Sequence, residues 1–263
     1  MGTVRILAIG NSFSEDAAYY VHPMAAAAGI DVKIVNLYIG GCSLETHWRN
    51  IESGEAAYQY QLNGVNTDRY VSVEEALREE AWDYIVTQQA SHDSGWLDTY
   101  TPFIGRMQAY IRQKAPAAEL LLHETWAYET DSSHGAFMRY NRSQEEMFAR
   151  LRQAYRKIAA DYGLRLIPSG DVIQRLRGRD PFRYAQGGLS LCRDGFHMSY
   201  LYGRYLLACV WTAYLLGLPM ARNDFVPSTA LAPEEAADPA VLRVIRDVVD
   251  EVVTQVEQER ARA

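Results

Sequence analysis

Val4-Arg5-Ile6-Leu7-Ala8-Ile9-Gly10-Asn11-Ser12-Phe13-Ser14 runs from an apolar segment straight into a small polar turn. Val4–Ile9 is short, rich in β-branched residues and apolar on both faces of a two-residue period, apart from Arg5. That is the pattern of a strand buried on both sides. A helix-like stretch, Glu15–Ala28, follows and is interrupted by Pro23. The unit is therefore strand, polar turn, helix, and the rest of the chain repeats it.

Asp31–Leu37, Trp82–Gln89, Glu119–Trp126 and Leu164–Pro168 read as further core strands. Between and after them lie the helical patterns Thr101–Lys114, the stretch capped by Ser143-x-x-Glu146, Tyr200–Leu216 and Ala240–Gln258. The Ser143 helix places Met147, Phe148, Leu151, Tyr155, Ile158 and Ala159 at helical spacing. Strand followed by helix, five times over, predicts a parallel sheet covered on both faces. The expected fold is an α/β/α three-layer sandwich on a central five-stranded parallel sheet. Tyr58–Leu62 and Val65–Val71 flank Asn63-Gly64, a two-residue hairpin signal, so an inserted hairpin over about 56–72 should decorate one edge. Ser72-x-x-Glu75 is a capping box opening a short helix.

Of 263 residues, 48% are hydrophobic and 22% charged, which excludes a disordered or fibrous chain. Twenty-six basic against 33 acidic residues leave −7, with no long basic block, so nucleic acid is excluded as a partner. The most apolar run, Tyr200–Gly217, contains Arg204 and reads as a core helix rather than a membrane span. Cys42, Cys192 and Cys209 are sparse and not in C-x-x-C spacing, which fits a reducing, cytoplasmic setting.

Parallel sheets bind ligands at the C-terminal ends of their strands. Four polar loops fall there. Gly10-Asn11-Ser12-Phe13-Ser14 either exposes a serine hydroxyl or is a plain turn with Ser14 as N-cap. Gly40-Gly41-Cys42-Ser43 either leaves a backbone N–H open to a ligand or is a loop turn. Gln88-Gln89-Ala90-Ser91-His92-Asp93 puts two amides at a strand end, where substrate or loop backbone must satisfy them. Asp194-Gly195-Phe196-His197 spaces an acid and an imidazole to meet across a tight turn, or else caps a helix. No G-x-G-x-x-G or Walker pattern is present.

In this joint order the chain resembles the SGNH (GDSL-type) hydrolases, in the branch with a G-N-S-F-S first block and a doubled Gln in the third. The resemblance runs from Val4 to Leu216 and is most specific at Asp194-Gly195-Phe196-His197-x-Ser199-x-x-x-Gly203-Arg204. It implies a flavodoxin-like sandwich and an esterase, with many relatives acting on acylated carbohydrates. Carried over, Ser12 resembles the nucleophile, His197 the general base and Asp194 its orienting partner. Gly41 resembles the second-block oxyanion donor. The usual G-x-N-D third block is absent, so its amide falls to Gln89 or His92, with Gln89 slightly preferred. Asn11 replaces the usual first-block Asp.

The implied function is hydrolysis of a small, acetyl-type ester, on a carbohydrate or similar alcohol, by a Ser-His-Asp acyl-enzyme route. The alternative is a catalytically silent sandwich that binds a carbohydrate or other small ligand. Asn11, Gln88, Ser91 and Trp126 are expected to contact substrate, though Trp126 equally suits the core. His47, Trp48, His92 and Trp96 are candidates for the mouth. His47, His92, His123, Asp93 and Glu124 lack metal-ligand spacing, so neither metal nor cofactor is expected. Ser12 and His197 must share one site, which makes residues 1–263 one domain, closed by a helix over about 239–260.

Overall fold

The computed structural model describes residues 2–233 and 236–262. Five parallel strands form its centre: β1 (Val4–Gly10), β2 (Val32–Tyr38), β5 (Tyr84–Thr87), β6 (Glu119–His123) and β7 (Arg165–Ile167). The hairpin β3 (Tyr58–Leu62) and β4 (Val65–Val71) pairs antiparallel onto β2 and extends the sheet to seven strands, in the order β4-β3-β2-β1-β5-β6-β7. The five-strand expectation is corrected in this respect. The hairpin is part of the main sheet because alternate residues Tyr58 and Tyr60 are buried on it. Asn63 and Gly64 take φ of 51° and 81° at the turn, as the two-residue loop requires.

Chain order reverses at β1, which lies between β2 and β5, and this is the switch point where an open α/β sheet presents its crevice. Ile6, Leu7, Ala8 and Ile9 on β1 have no exposure, as a central strand covered on both sides should. One face carries α1 (Ser12–Ala18), α2 (Val21–Ala27) and α8 (Tyr202–Leu216). The other carries α3 (Leu44–Ser53), α4 (Val73–Glu79) and α5 (Phe103–Lys114), with α6 (Gln144–Tyr162) beside β7. The outer helices α7 (Ser169–Arg177) and α9 (Pro239–Arg262) pack against α8. Because α8 is enclosed by α1, α2, α7 and α9, every residue from Gly203 to Leu215 is buried. Among the described residues no helix is long and apolar enough to cross a membrane.

Local capping fixes where these elements begin. Ser72 and Glu75 form the expected reciprocal box at α4, with Ser72 N–H donating to Glu75 Oε2 at 2.7 Å. Ser143 caps α6 through Glu146 N–H. The break between α1 and α2 falls at Tyr19-Tyr20, while Pro23 sits in the first turn of α2, where a missing N–H costs nothing. Helices α3 and α7 had no sequence expectation. Ser43 as N-cap and Gly54 at φ 68° bracket α3 and were the signal for it.

Candidate functional site

The turn after β1 is built by close approach. A Cβ on Gly10 would lie 2.2 Å from Ser14 Oγ, so only glycine lets the chain turn here. Asn11, rather than Ser14, is the N-cap of α1: its Oδ1 accepts from Phe13 N–H at 3.0 Å. Ser14 Oγ in turn accepts from Asn11 N–H at 3.0 Å and closes the box. Ser12 therefore occupies the first helical position, where its N–H has no intrahelical acceptor.

The Asp194–His197 segment is the tip of a second turn. Arg193 N–H donates to His197 C=O at 2.9 Å, and Ser199 N–H to Leu191 C=O at 2.7 Å. Gly195 adopts φ 85° against Ser132, whose Cα would be 2.9 Å from any Cβ. Within the turn Asp194 Oδ1 accepts from the backbone N–H of His197 (2.8 Å) and Phe196 (3.2 Å). Its Oδ2 lies 2.7 Å from His197 Nδ1, and His197 Nε2 lies 2.8 Å from Ser12 Oγ. Burial opposes the Asp194 charge, but these hydrogen bonds outweigh it and hold the carboxyl below its ordinary range. Residues 185 apart are thus brought into one bonded line of acid, imidazole and hydroxyl.

A pocket of about 280 Å³ opens over this line. Gly41 lies on its wall at φ 63°, in a turn closed by Cys42 N–H to Ile39 C=O at 3.2 Å. Ser91 and His92 also line the pocket. Ser91 Oγ lies 2.9 Å from Tyr128 Oη, and His92 Nε2 lies 3.4 Å from Asp93 Oδ2.

Three expected contacts, Gln89, Gln88 and Trp126, lie outside the pocket lining, and a fourth, Asn11, borders it with its side chain engaged elsewhere. Gln89 is buried with both ends of its amide used: Oε1 accepts from Leu44 and Ala90 N–H, and Nε2 donates to Thr99. It has no donor left for an oxyanion. Gln88 is buried between Asn11 Oδ1, to which it donates at 2.7 Å, and His123 Nδ1 at 2.6 Å. Asn11 borders the pocket, but its side chain is spent on the cap, on Gln88 and on Cys42 C=O at 3.0 Å. Trp126 has no exposure; it stacks on Phe13 with centroids 4.1 Å apart and donates Nε1–H to Phe196 C=O at 2.8 Å. All four side chains are engaged with neighbouring protein groups. A buried polar side chain must find partners, and here the protein supplies them.

His123 is engaged in the same way. Burial draws its pKa down to about 3, so the ring is neutral. Its Nδ1–H donates to Gln88 Oε1, and its Nε2 accepts from Ser169 Oγ at 2.9 Å. His47 is likewise drawn to about 3 by burial and is bonded to Tyr58 Oη at 2.9 Å, away from the mouth. Trp48 stands under Arg106, and Trp96 is flanked by Arg139 and Arg150.

Sequence reasoning missed Phe13, Glu15, Tyr38, His134, Arg193 and Phe196, which also line the pocket. Glu15 was within reach, three residues beyond Ser12 on the same helix. Its Oε1 accepts from Gln61 Nε2 at 2.7 Å, and Gln61 Oε1 accepts from Asn36 Nδ2 at 2.7 Å, so the hairpin is tied to the serine helix. His134 comes from the loop after β6, and no local pattern marked it. Burial, then the nearby His92 and His197, lower its pKa. Its Nδ1 accepts from Ala136 N–H at 3.1 Å, which leaves the ring proton on Nε2.

Residues 5–240 match the family described as a domain of unknown function, DUF4886. The chain belongs to the DUF4886 family. A DUF4886 protein from Bacteroides uniformis is 35% identical and aligns with a TM-score of 0.87 over 96% of this chain and 95% of its own. An SGNH-hydrolase-type protein from Slackia heliotrinireducens is 24% identical, with a TM-score of 0.52 over 81% of this chain and all of its own. An acetylxylan esterase from Geobacillus stearothermophilus is 13% identical, with a TM-score of 0.52 over 87% of this chain and 99% of its own. No curated protein matches the sequence. The DUF4886 chain therefore has the SGNH-hydrolase fold that its motifs resemble.

Proposed function

We propose that the protein is a serine ester hydrolase acting on a small acyl, acetyl-type ester of a carbohydrate or similar polyhydroxy alcohol. One observation supports this above the rest. Ser12 Oγ, His197 and Asp194 are joined by contacts of 2.8 and 2.7 Å at the mouth of a pocket. In this reading His197 removes the Ser12 proton and Ser12 attacks the ester carbonyl. Asp194 fixes the proton on Nδ1 and stabilises the imidazolium. His197 then protonates the departing alcohol, and a water activated by His197 hydrolyses the acyl-enzyme.

The oxyanion would sit among Ser12 N–H, Gly41 N–H and a ring N–H. Counting along the sequence sets His92 over the third-block Asn, and His92 lines the pocket together with His134, which is neutral with its proton on Nε2 and offers a second ring donor. Glu15, Tyr38 and Arg193 add a carboxylate, a phenol and a guanidinium to the pocket lining, groups that bond readily to hydroxyls. A pocket of about 280 Å³ favours a short acyl group. The three cysteines are free and buried, which fits a cytoplasmic enzyme whose chemistry does not use thiols.

The test is a panel of nitrophenyl acyl esters and acetylated sugars, run with wild type and Ser12→Ala. We expect turnover falling with acyl length and lost in the variant. Equal turnover in the folded variant would remove Ser12 as nucleophile. A folded wild type inert to the whole panel and to a fluorophosphonate probe would favour the silent binding protein.

A further inference from the structure

Asp16 lies one helical turn beyond Ser12 on α1 and has no exposure. Its Oδ2 accepts from the backbone N–H of Met198 at 2.9 Å. Its Oδ1 accepts from Arg204 Nε at 2.8 Å, and both oxygens accept from Arg193 Nη1 at 3.0 Å. Arg193 immediately precedes Asp194, and Met198 immediately follows His197. Arg193 Nη1 also donates to Met198 C=O, which closes the base of the turn. One carboxylate therefore grips both ends of the turn that presents the acid and the imidazole.

The bonds inside that turn fix His197 relative to Asp194. They do not fix either residue relative to Ser12, which is far off in sequence on another element. Residues four apart share a helix face, so α1 offers Ser12 and Asp16 to the same turn. Charge-assisted hydrogen bonds are short and directional, which suits a link that must hold a distance. Arg204, on α8 and 4.2 Å from the Tyr19 ring, braces the cluster from below and offsets the buried charge.

We infer that Asp16 is a positioning residue that sets the distance between Ser12 and His197. The inference rests on the esterase reading above. Misplacing reacting groups by about 1 Å can cost about 10²-fold in rate. The experiment compares wild type, Asp16→Asn and Asp16→Asn/Arg204→Gln, the double variant removing the more deeply buried of the two guanidiniums left without their carboxylate. Near-ultraviolet circular dichroism reports folding, kcat and KM are measured on an acetyl ester, and the rate of fluorophosphonate labelling reports Ser12. The downfield proton resonance of His197 Nδ1–H reports the Asp194 bond.

We expect kcat and labelling to fall together by about 10²-fold with KM little changed. The downfield resonance should persist in both variants. Wild-type kcat in either folded variant overturns the inference. So does loss of the resonance, which would place the damage inside the turn. Failure of both variants to fold would make Asp16 a stability element and overturn the inference too. A wild type that the probe leaves unlabelled overturns the esterase reading itself, and with it any role for Asp16 in catalysis.

Discussion

Asn11→Ala tests whether the frame beneath Ser12 is held by hydrogen bonds, as the structure describes. The side chain is 2% exposed and makes three bonds: the cap to Phe13 N–H, acceptance from Gln88 Nε2, and donation to Cys42 C=O. Losing an N-cap side chain costs about 1 kcal/mol. Stranding a buried amide N–H and a buried carbonyl costs about 1–3 kcal/mol each. Partial relaxation brings the expected sum to about 3–5 kcal/mol. For a chain of this size that is a Tm lowered by about 6–10 °C. The assay is urea unfolding followed by fluorescence and circular dichroism, with a thermal scan beside it. Because the Cys42 bond ties the Gly41 turn to the serine turn, kcat should fall as well. A loss below about 1 kcal/mol with unchanged kcat would refute the reasoning, since three buried bonds would then count for nothing.

Further expectations follow from the same geometry. Asp194→Asn should lower kcat by about 10³–10⁴ while leaving the near-ultraviolet spectrum unchanged, because the acid fixes the imidazole tautomer; a loss under tenfold would contradict this. Trp126→Ala should cost about 3–5 kcal/mol through the lost Phe13 stack. Trp126→Phe should leave KM for acetylated sugars unchanged, whereas a raised KM would restore Trp126 as a substrate contact. Of His92→Ala and His134→Phe, one should lower kcat by about 10²–10³ if a ring N–H completes the oxyanion hole; near-wild-type rates in both would exclude the two rings. Glu124 is fully buried, with Oε2 accepting from Asp171 N–H and Oε1 unpartnered, and burial foremost raises its pKa. Its folded pKa exceeds its unfolded value, so its contribution is full below about pH 4 and declines as pH rises towards the folded value. Tm scans from about pH 5 to 8 should show wild type losing more stability than Glu124→Gln, and parallel curves would contradict the raised pKa.

The parallel sheet was legible because its strands are short apolar runs separated by helical periods, and the hairpin because Asn63-Gly64 admits few other conformations. That the hairpin joins the sheet was not legible, since strand pairing is set by partners distant in sequence. The Asp194–His197 spacing and the position of Ser12 after a buried strand each also allowed a plain structural reading, and the resemblance to SGNH hydrolases singled them out; in the structure Ser12 Oγ, His197 and Asp194 form one bonded line. Gln88, Gln89 and Trp126, which lie outside the pocket lining, have one reason in common. A polar or aromatic residue at a strand end can face a ligand or face inward, and sequence does not say which. In the structure Gln88 finds His123, Gln89 finds Thr99, and Trp126 finds Phe13. His134 was missed because it reaches the pocket only through the packing of a loop that no local pattern describes, whereas Arg193 adjoins Asp194 and was passed over.

The central claim is that Ser12 is acylated. Rapid quenching of wild-type protein mixed with an activated acetyl ester, followed by peptide mass analysis, tests it most directly. The account predicts an acetyl group on the Ser12 peptide that forms and decays at rates consistent with turnover, and that is absent from Ser12→Ala. Steady hydrolysis with no acetyl on Ser12, or with the acetyl on another residue, would contradict it.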